Sequence, residues 1–170
     1  PYFEDLRHSL AEFSEVAAMN EISRKGLNVL FACEPLSEHA LQEFGDLMYW
    51  GYTEFDALRY FFSHLSLLDG PIHEVVIRPH PAERVGKYNV IILELQEMSG
   101  ISVRLGGRES LLQEIVRSDV VVGCETMAMV VGLIADRRVI SAIPPGGSPC
   151  SLPHSQIESL KAMVDAGSCL

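Results

Sequence analysis

Ser118-Asp119-Val120-Val121-Val122-Gly123-Cys124-Glu125-Thr126-Met127-Ala128-Met129, continuing to Arg138-Val139-Ile140-Ser141-Ala142-Ile143-Pro144, is the stretch that decides how this sequence folds. The β-branched run between Asp119 and Gly123 shows no polar alternation, which marks a strand buried on both faces. From Thr126 onward Met127, Val130, Val131 and Ile134 recur at helical spacing, and Asp136-Arg137-Arg138 closes that helix before a second apolar run. The unit is strand, turn, helix, strand. In an open parallel sheet such a turn lies at the carboxyl end of its strand, where backbone N–H groups and the helix dipole favour an anion. Phosphate is the anion this turn predicts.

Working outward, Leu27 to Ala32 reads as a first strand, ended by Cys33-Glu34-Pro35, because proline has no N–H for the ladder. Ser37-Glu38 opens a helix running toward Met48, and Thr53 with Asp56 forms a capping box for the next. The aromatic residues from Trp50 to Phe62 read as core, with Tyr52 kept as a minor binding candidate. Glu74 to Arg78 is a second strand cut off by Pro79-His80-Pro81, Tyr88 to Met98 a helix, and Ile101 to Leu105 a third strand followed by Gly106-Gly107. A short helix covers Ser110 to Arg117. Pro144 to Pro149 is a loop and the last helix spans about Ser155 to Ala166. This alternation predicts an α/β fold: a doubly wound, mainly parallel sheet of about five strands with helices on both faces. Phe3, Leu6, Leu10, Phe13, Val16 and Ala17 share one face of an opening helix. Residues 1–25 are therefore read as an N-terminal helix, either covering the sheet or leading from a missing preceding domain, and residues 26–170 as the Rossmann-like domain.

The 170 residues, 48% of them hydrophobic, suffice for one sizeable core. Thirteen Lys and Arg against 23 Asp and Glu give a net charge of −10, which argues against broad binding to nucleic acid or an anionic membrane. Cys33, Cys124, Cys150 and Cys169 show no CxxC spacing, so no metal site is predicted and the thiols are read as reduced and cytoplasmic. No apolar run approaches the roughly 18 residues that span a bilayer, and the start lacks a signal-peptide pattern.

Five strand ends carry loops fit for chemistry, and a doubly wound sheet gathers them on one edge. His80 is fixed between two prolines and suits a phosphate contact or proton transfer, or is simply a rigid strand exit. Arg78 is placed to grip phosphate through its planar fork, or ends its strand in solvent. Gly106 and Gly107 permit close backbone approach, without a full GxGxxG fingerprint. Thr126 is an N-cap or a phosphate contact, and Glu125 either accepts ribose hydroxyls or places favourable charge at a helix start. No GxxxxGK[ST] occurs, so a P-loop is excluded.

Arg78-Pro79-His80-Pro81 together with Ser118 to Thr126 resembles the donor-binding half of GT-B-type glycosyltransferases and polymer glycerophosphotransferases of bacterial surface-carbohydrate synthesis. The similarity runs from about Val75 to Ile143. It implies that His80 and Thr126 contact the phosphate of a nucleotide-linked sugar donor and that Glu125 contacts its ribose, with no further cofactor. Relatives often carry a Ser-Ser pair where this chain has Glu125-Thr126. GT-B enzymes also need a second such domain for transfer, so a second domain, or a homo-oligomer formed through the N-terminal helix, is the expected partner. The alternatives are a non-catalytic Rossmann-like binding domain and half of a sugar-nucleotide epimerase.

Overall fold

The computed structural model describes residues 25–167, together with Glu4, His8, Ser9, Leu10 and Phe13. Six strands form one sheet: β1 (Leu27–Ala32), β2 (Ile72–Arg78), β3 (Ser102–Leu105), β4 (Val120–Gly123), β5 (Arg138–Ser141) and β6 (Glu158–Ser159). Their spatial order is β3-β2-β1-β4-β5-β6, and every neighbouring pair is parallel. The chain thus runs outward from β1 in one direction, returns, and runs outward in the other, which is the doubly wound arrangement.

The helices are α1 (Leu36–Phe44), α2 (Glu54–Phe62), α3 (Asn89–Ser99), α4 (Leu111–Val116), α5 (Met127–Ile134) and α6 (Leu160–Gly167), with a 3₁₀ turn at Leu65–Leu67. Strand periodicity sends alternate residues to opposite faces. Val29, Phe31, Val75, Ile77, Val120 and Val122 pack with Leu58 and Phe61 of α2 and Ile91 and Leu95 of α3. On the other face Leu30, Val76, Val121 and Val139 pack with Ile115 of α4 and Met129 of α5. Both faces are covered, which is why these strands read as unbroken apolar runs.

Capping follows the sequence closely. Thr53 accepts the Asp56 N–H while the Asp56 carboxylate accepts the Thr53 N–H, and Ser110 forms the same reciprocal pair with Gln113. The helix expected to reach Met48 stops at Phe44, where Gly45 takes a left-handed conformation, φ 72°. The sixth strand is an addition to the expected five: Glu158 and Ser159 pair with Ile140 and Ser141. Of the opening helix, Leu10 and Phe13 pack on Val116, Leu112, Val131 and Ile134. Phe3, Leu6, Val16 and Ala17 lie outside the described residues.

Candidate functional site

In an open α/β sheet the ligand crevice lies beyond the carboxyl ends of the strands where the order reverses, here between β1 and β4. Ala32 pairs with Arg78 and Phe31 with Val122, so the exits of β2 and β4 flank the exit of β1 at one level. Two strand spacings separate them, about 10 Å. The rim divides into two regions.

On the β2–β3 side, Arg78, His80, Glu83, Arg84, Lys87, Gly106 and Gly107 are among the residues lining a cleft of about 300 Å³. Arg78 is not a solvated strand end. Its Nη1 donates to the Glu114 carboxylate at 2.5 Å and to the Glu109 carbonyl at 3.0 Å, and the Glu114 side chain is 3% exposed. Glu114 also accepts the Gly107 N–H at 2.8 Å, while the Gly106 N–H donates to the Ile77 carbonyl. The glycine pair therefore wraps an internal carboxylate, and these two N–H groups are already engaged by the protein. A Cβ on Gly106 would lie 2.8 Å from Val76 Cγ1 and 3.0 Å from Glu114, so the loop tolerates no side chain there.

His80 is exposed at the strand exit. Its backbone N–H donates to Glu83 Oε2 at 2.7 Å, and its Nδ1 accepts the Ala82 N–H at 3.2 Å. A ring nitrogen that accepts carries no proton, so the neutral ring bears its hydrogen on Nε2 and offers it outward. Glu83 is itself held by Lys87 and by the Tyr88 hydroxyl. The Lys87 ammonium lies 2.5–2.7 Å from Glu38, Glu54 and Glu83, a three-carboxylate cluster of the size that could seat a metal ion and that an ammonium fills instead.

On the β1–β4 side a crevice of about 770 Å³ is lined by Glu34, Glu43, Glu125, His39, Tyr49 and Trp50 among others, with no lysine or arginine among its described lining residues. Glu34 leaves β1 and turns back: its Oε2 accepts the Glu125 N–H at 2.9 Å. Burial pushes the Glu34 carboxyl above the usual carboxylate range, against the opposing pull of that N–H. The Glu125 carboxylate accepts from the Ser151 N–H at 3.0 Å and from the Ser151 hydroxyl, tying the turn to the loop after β5. Thr126 caps α5, its hydroxyl oxygen accepting the Ala128 N–H at 3.3 Å. This use as an acceptor leaves the hydroxyl proton to donate elsewhere.

The wall beyond α1 is aromatic. Phe44 and Tyr49 stack with centroids 3.6 Å apart and 7° between planes, and Trp50 stands edge-on to both at 5.5 and 5.0 Å. These three rings are 43–51% exposed, unlike the Phe55 to Phe62 group in and around the core. Gly51, φ +83°, lets the wall meet the loop after β5: a Cβ there would lie 2.5 Å from the Gly146 carbonyl. Tyr52 is buried beside Cys124, and burial raises its hydroxyl pKa.

Glu34 carries a testable pH signature. With its folded-state pKa raised above 4.5, the native state holds more protons than the unfolded chain above that pH, so stability falls as pH rises through the window. Glu34→Gln keeps an acceptor for the Glu125 N–H and removes the titration. The variant is expected to be more stable than the parent at neutral pH, with the difference vanishing below pH 4.5; urea denaturation across pH checks it.

No family model matches this sequence, and no curated protein matches it significantly. Solved structures do. A KpsC from Thermosulfurimonas dismutans, described as a beta Kdo 2,7 transferase, superposes with TM-score 0.51 at 14% identity over 91% of this chain. The fold is shared. A beta Kdo 2,4 transferase KpsC from the same organism aligns with TM-score 0.48 and 12% identity over 94% of this chain. The chain spans 45% and 49% of the length of those two.

The structure brings Arg78, His80, Gly106 and Gly107 to one cleft and places Glu125 in the other, with Thr126 at the adjoining helix start. Sequence reasoning missed Glu34, Glu83, Lys87 and the Tyr49–Trp50 wall. The spacing Pro81-x-Glu83 beside the proline-framed His80 and the i, i+4 pairing of Glu83 with Lys87 are the signals that could have pointed to Glu83.

Proposed function

We propose that this chain is the donor-binding half of a GT-B-like transferase acting on a nucleotide-linked sugar in bacterial surface-carbohydrate synthesis. The observation that carries the reading is that the exits of β2 and β4 flank that of β1 at one level, which sets the exposed His80 ring and the Thr126 hydroxyl on one rim. Those two donors suit a phosphate, and the acidic crevice beside them suits a hydroxyl-rich group. The shared fold with a transferase of that class and the Arg78-Pro79-His80-Pro81 motif support it.

In this reading the His80 Nε2–H and the Thr126 hydroxyl donate to the donor's phosphate oxygens, bridging the exits of β2 and β4. Arg78 lines the cleft with its charge balanced by Glu114, and meets the phosphate through guanidinium N–H groups not used in that pair. Gly106 and Gly107 keep the cleft floor free of side chains. Glu125, at the lip of the crevice, accepts from a ribose hydroxyl. Group transfer itself needs an acceptor and a second domain to exclude water and supply the base.

Thermal melting with CMP, CDP and UDP tests it. At ten times Kd a ligand adds about 1.4 kcal/mol, which at this chain length is about 3–6 °C in Tm. His80→Ala is expected to abolish the shift while melting as the parent does without ligand. Absence of any shift at millimolar nucleotide would sink the reading.

A further inference from the structure

We infer that the β1–β4 crevice is a subsite for a neutral, polyhydroxylated sugar ring, stacked on the Tyr49–Trp50 wall and hydrogen-bonded by Glu34, Glu43 and Glu125. It is distinct from the phosphate cleft beyond β2.

Three features of the crevice lead there. Its volume, about 770 Å³, lies in the range of small-molecule sites and exceeds what a ribose at its lip needs. Its charge is one-sided: three carboxylates face it, with His39 as the one titratable group of the other sign among the described lining residues. Phosphate, or a sugar bearing a carboxylate, meets repulsion there with no lysine or arginine among the described lining residues to offset it. Carboxylates are acceptors only, and the groups that satisfy them without bringing negative charge are hydroxyls, which bond to ionised acceptors about twice as strongly as to neutral ones.

The wall supplies the complementary half. Tyr49 and Trp50 are about half exposed although large and apolar, and they line the same crevice as the carboxylates. A sugar ring has an apolar C–H face and a rim of hydroxyls, so it covers an aromatic surface with one and reaches the acids with the other. The wall is held in place on both sides. The Gly51 N–H donates to the Met48 carbonyl, and the Asp46 carboxylate accepts the Met48 N–H, fixing the turn that carries the rings. The Gly51–Gly146 contact and the Ser151–Glu125 pair then seat the turn and the acids against one loop after β5.

Trp50 is the sole tryptophan, so its fluorescence reports on this crevice directly. The experiment is a titration of the 170-residue chain at neutral pH with glucose, galactose and N-acetylglucosamine oligosaccharides, with glucuronate and sialate as acidic sugars, and with CMP and UDP. Neutral saccharides are expected to change Trp50 emission saturably at millimolar concentration, while acidic sugars and nucleotides leave it unchanged. Glu43→Gln and Glu125→Gln, both at exposed positions, are each expected to weaken saccharide binding about tenfold. Circular dichroism confirms that each variant is folded, and Tyr49→Ala should weaken binding independently of charge.

No response to any neutral saccharide overturns the assignment, as does equal binding of acidic sugars. A response to nucleotides alone also overturns it, placing the nucleoside in the crevice. The nucleotide-binding reading is judged separately by the His80→Ala melting shift, so either can fail without the other.

Discussion

Lys87→Met is expected to cost about 3–5 kcal/mol of stability, the loss seen when one partner of a buried ion pair is removed. At this chain length that lowers Tm by about 6–20 °C. The Lys87 side chain is 3% exposed, and two of its carboxylate partners, Glu54 and Glu83, are 2% and 0% exposed. Methionine fills the volume of the stem beside the Phe55 and Tyr88 rings, which the ammonium approaches to 5.6 and 5.5 Å. The loss is therefore electrostatic. Two carboxylates stay buried with only the Ser37 and Tyr88 hydroxyls and the Ser37 and His80 N–H groups to satisfy them.

The pH dependence has a definite sign. Burial alone would depress Lys87, but hydrogen bonds to Glu38, Glu54 and Glu83 outweigh it and hold the ammonium above the usual lysine value of 10.5. A raised folded-state pKa contributes stability that is fully present below pH 10.5 and is lost as pH climbs through the folded value. The parent should thus lose stability at strongly alkaline pH relative to Lys87→Met. Urea denaturation with unchanged m checks both statements. A destabilisation below about 0.5 kcal/mol would mean the cluster is solvated after all.

Arg78→Leu is the second large effect, also about 3–5 kcal/mol, because it strands Glu114 beneath the glycine loop. The double variant Arg78→Leu/Glu114→Leu should recover most of the loss, since an apolar pair of similar volume replaces a buried ion pair at little cost. The same cycle separates two roles for Arg78. If the guanidinium only pairs with Glu114, the double variant binds nucleotide as the parent does; if it also contacts phosphate, affinity falls while stability is restored.

How far the sequence disclosed this arrangement depends on the range of the interactions. Local signals were legible: Thr53 with Asp56, the short helix after Ser110, the valine run of β4 and the proline stops all act within a few residues and appeared where expected. β6 was not, because Glu158 and Ser159 form a strand only by lying beside Ile140 and Ser141. The aromatic run was half read. Phe55, Phe61 and Phe62 do belong to the core or its edge, but Gly45 ends α1 early and turns Tyr49 and Trp50 outward. Glu34 was overlooked because a lone acid at a strand exit carries no pattern until Glu125, 91 positions later, donates to it. Lys87 stands beside Glu83 at i, i+4 spacing, but its burial comes from distant partners, Glu38 lying 49 positions away.

The central place of β1 has a bearing on how the chain is made. It is made before the other five strands of its sheet, yet one flank awaits β4, and Val29, Leu30 and Phe31 pair there with Val120, Val121 and Val122. Until the ribosome has delivered that later segment, the nascent sheet of β1, β2 and β3 carries an open hydrogen-bonding edge of strongly apolar sequence, the kind that recruits other chains. Any fragment ending before Val120 inherits that open edge permanently.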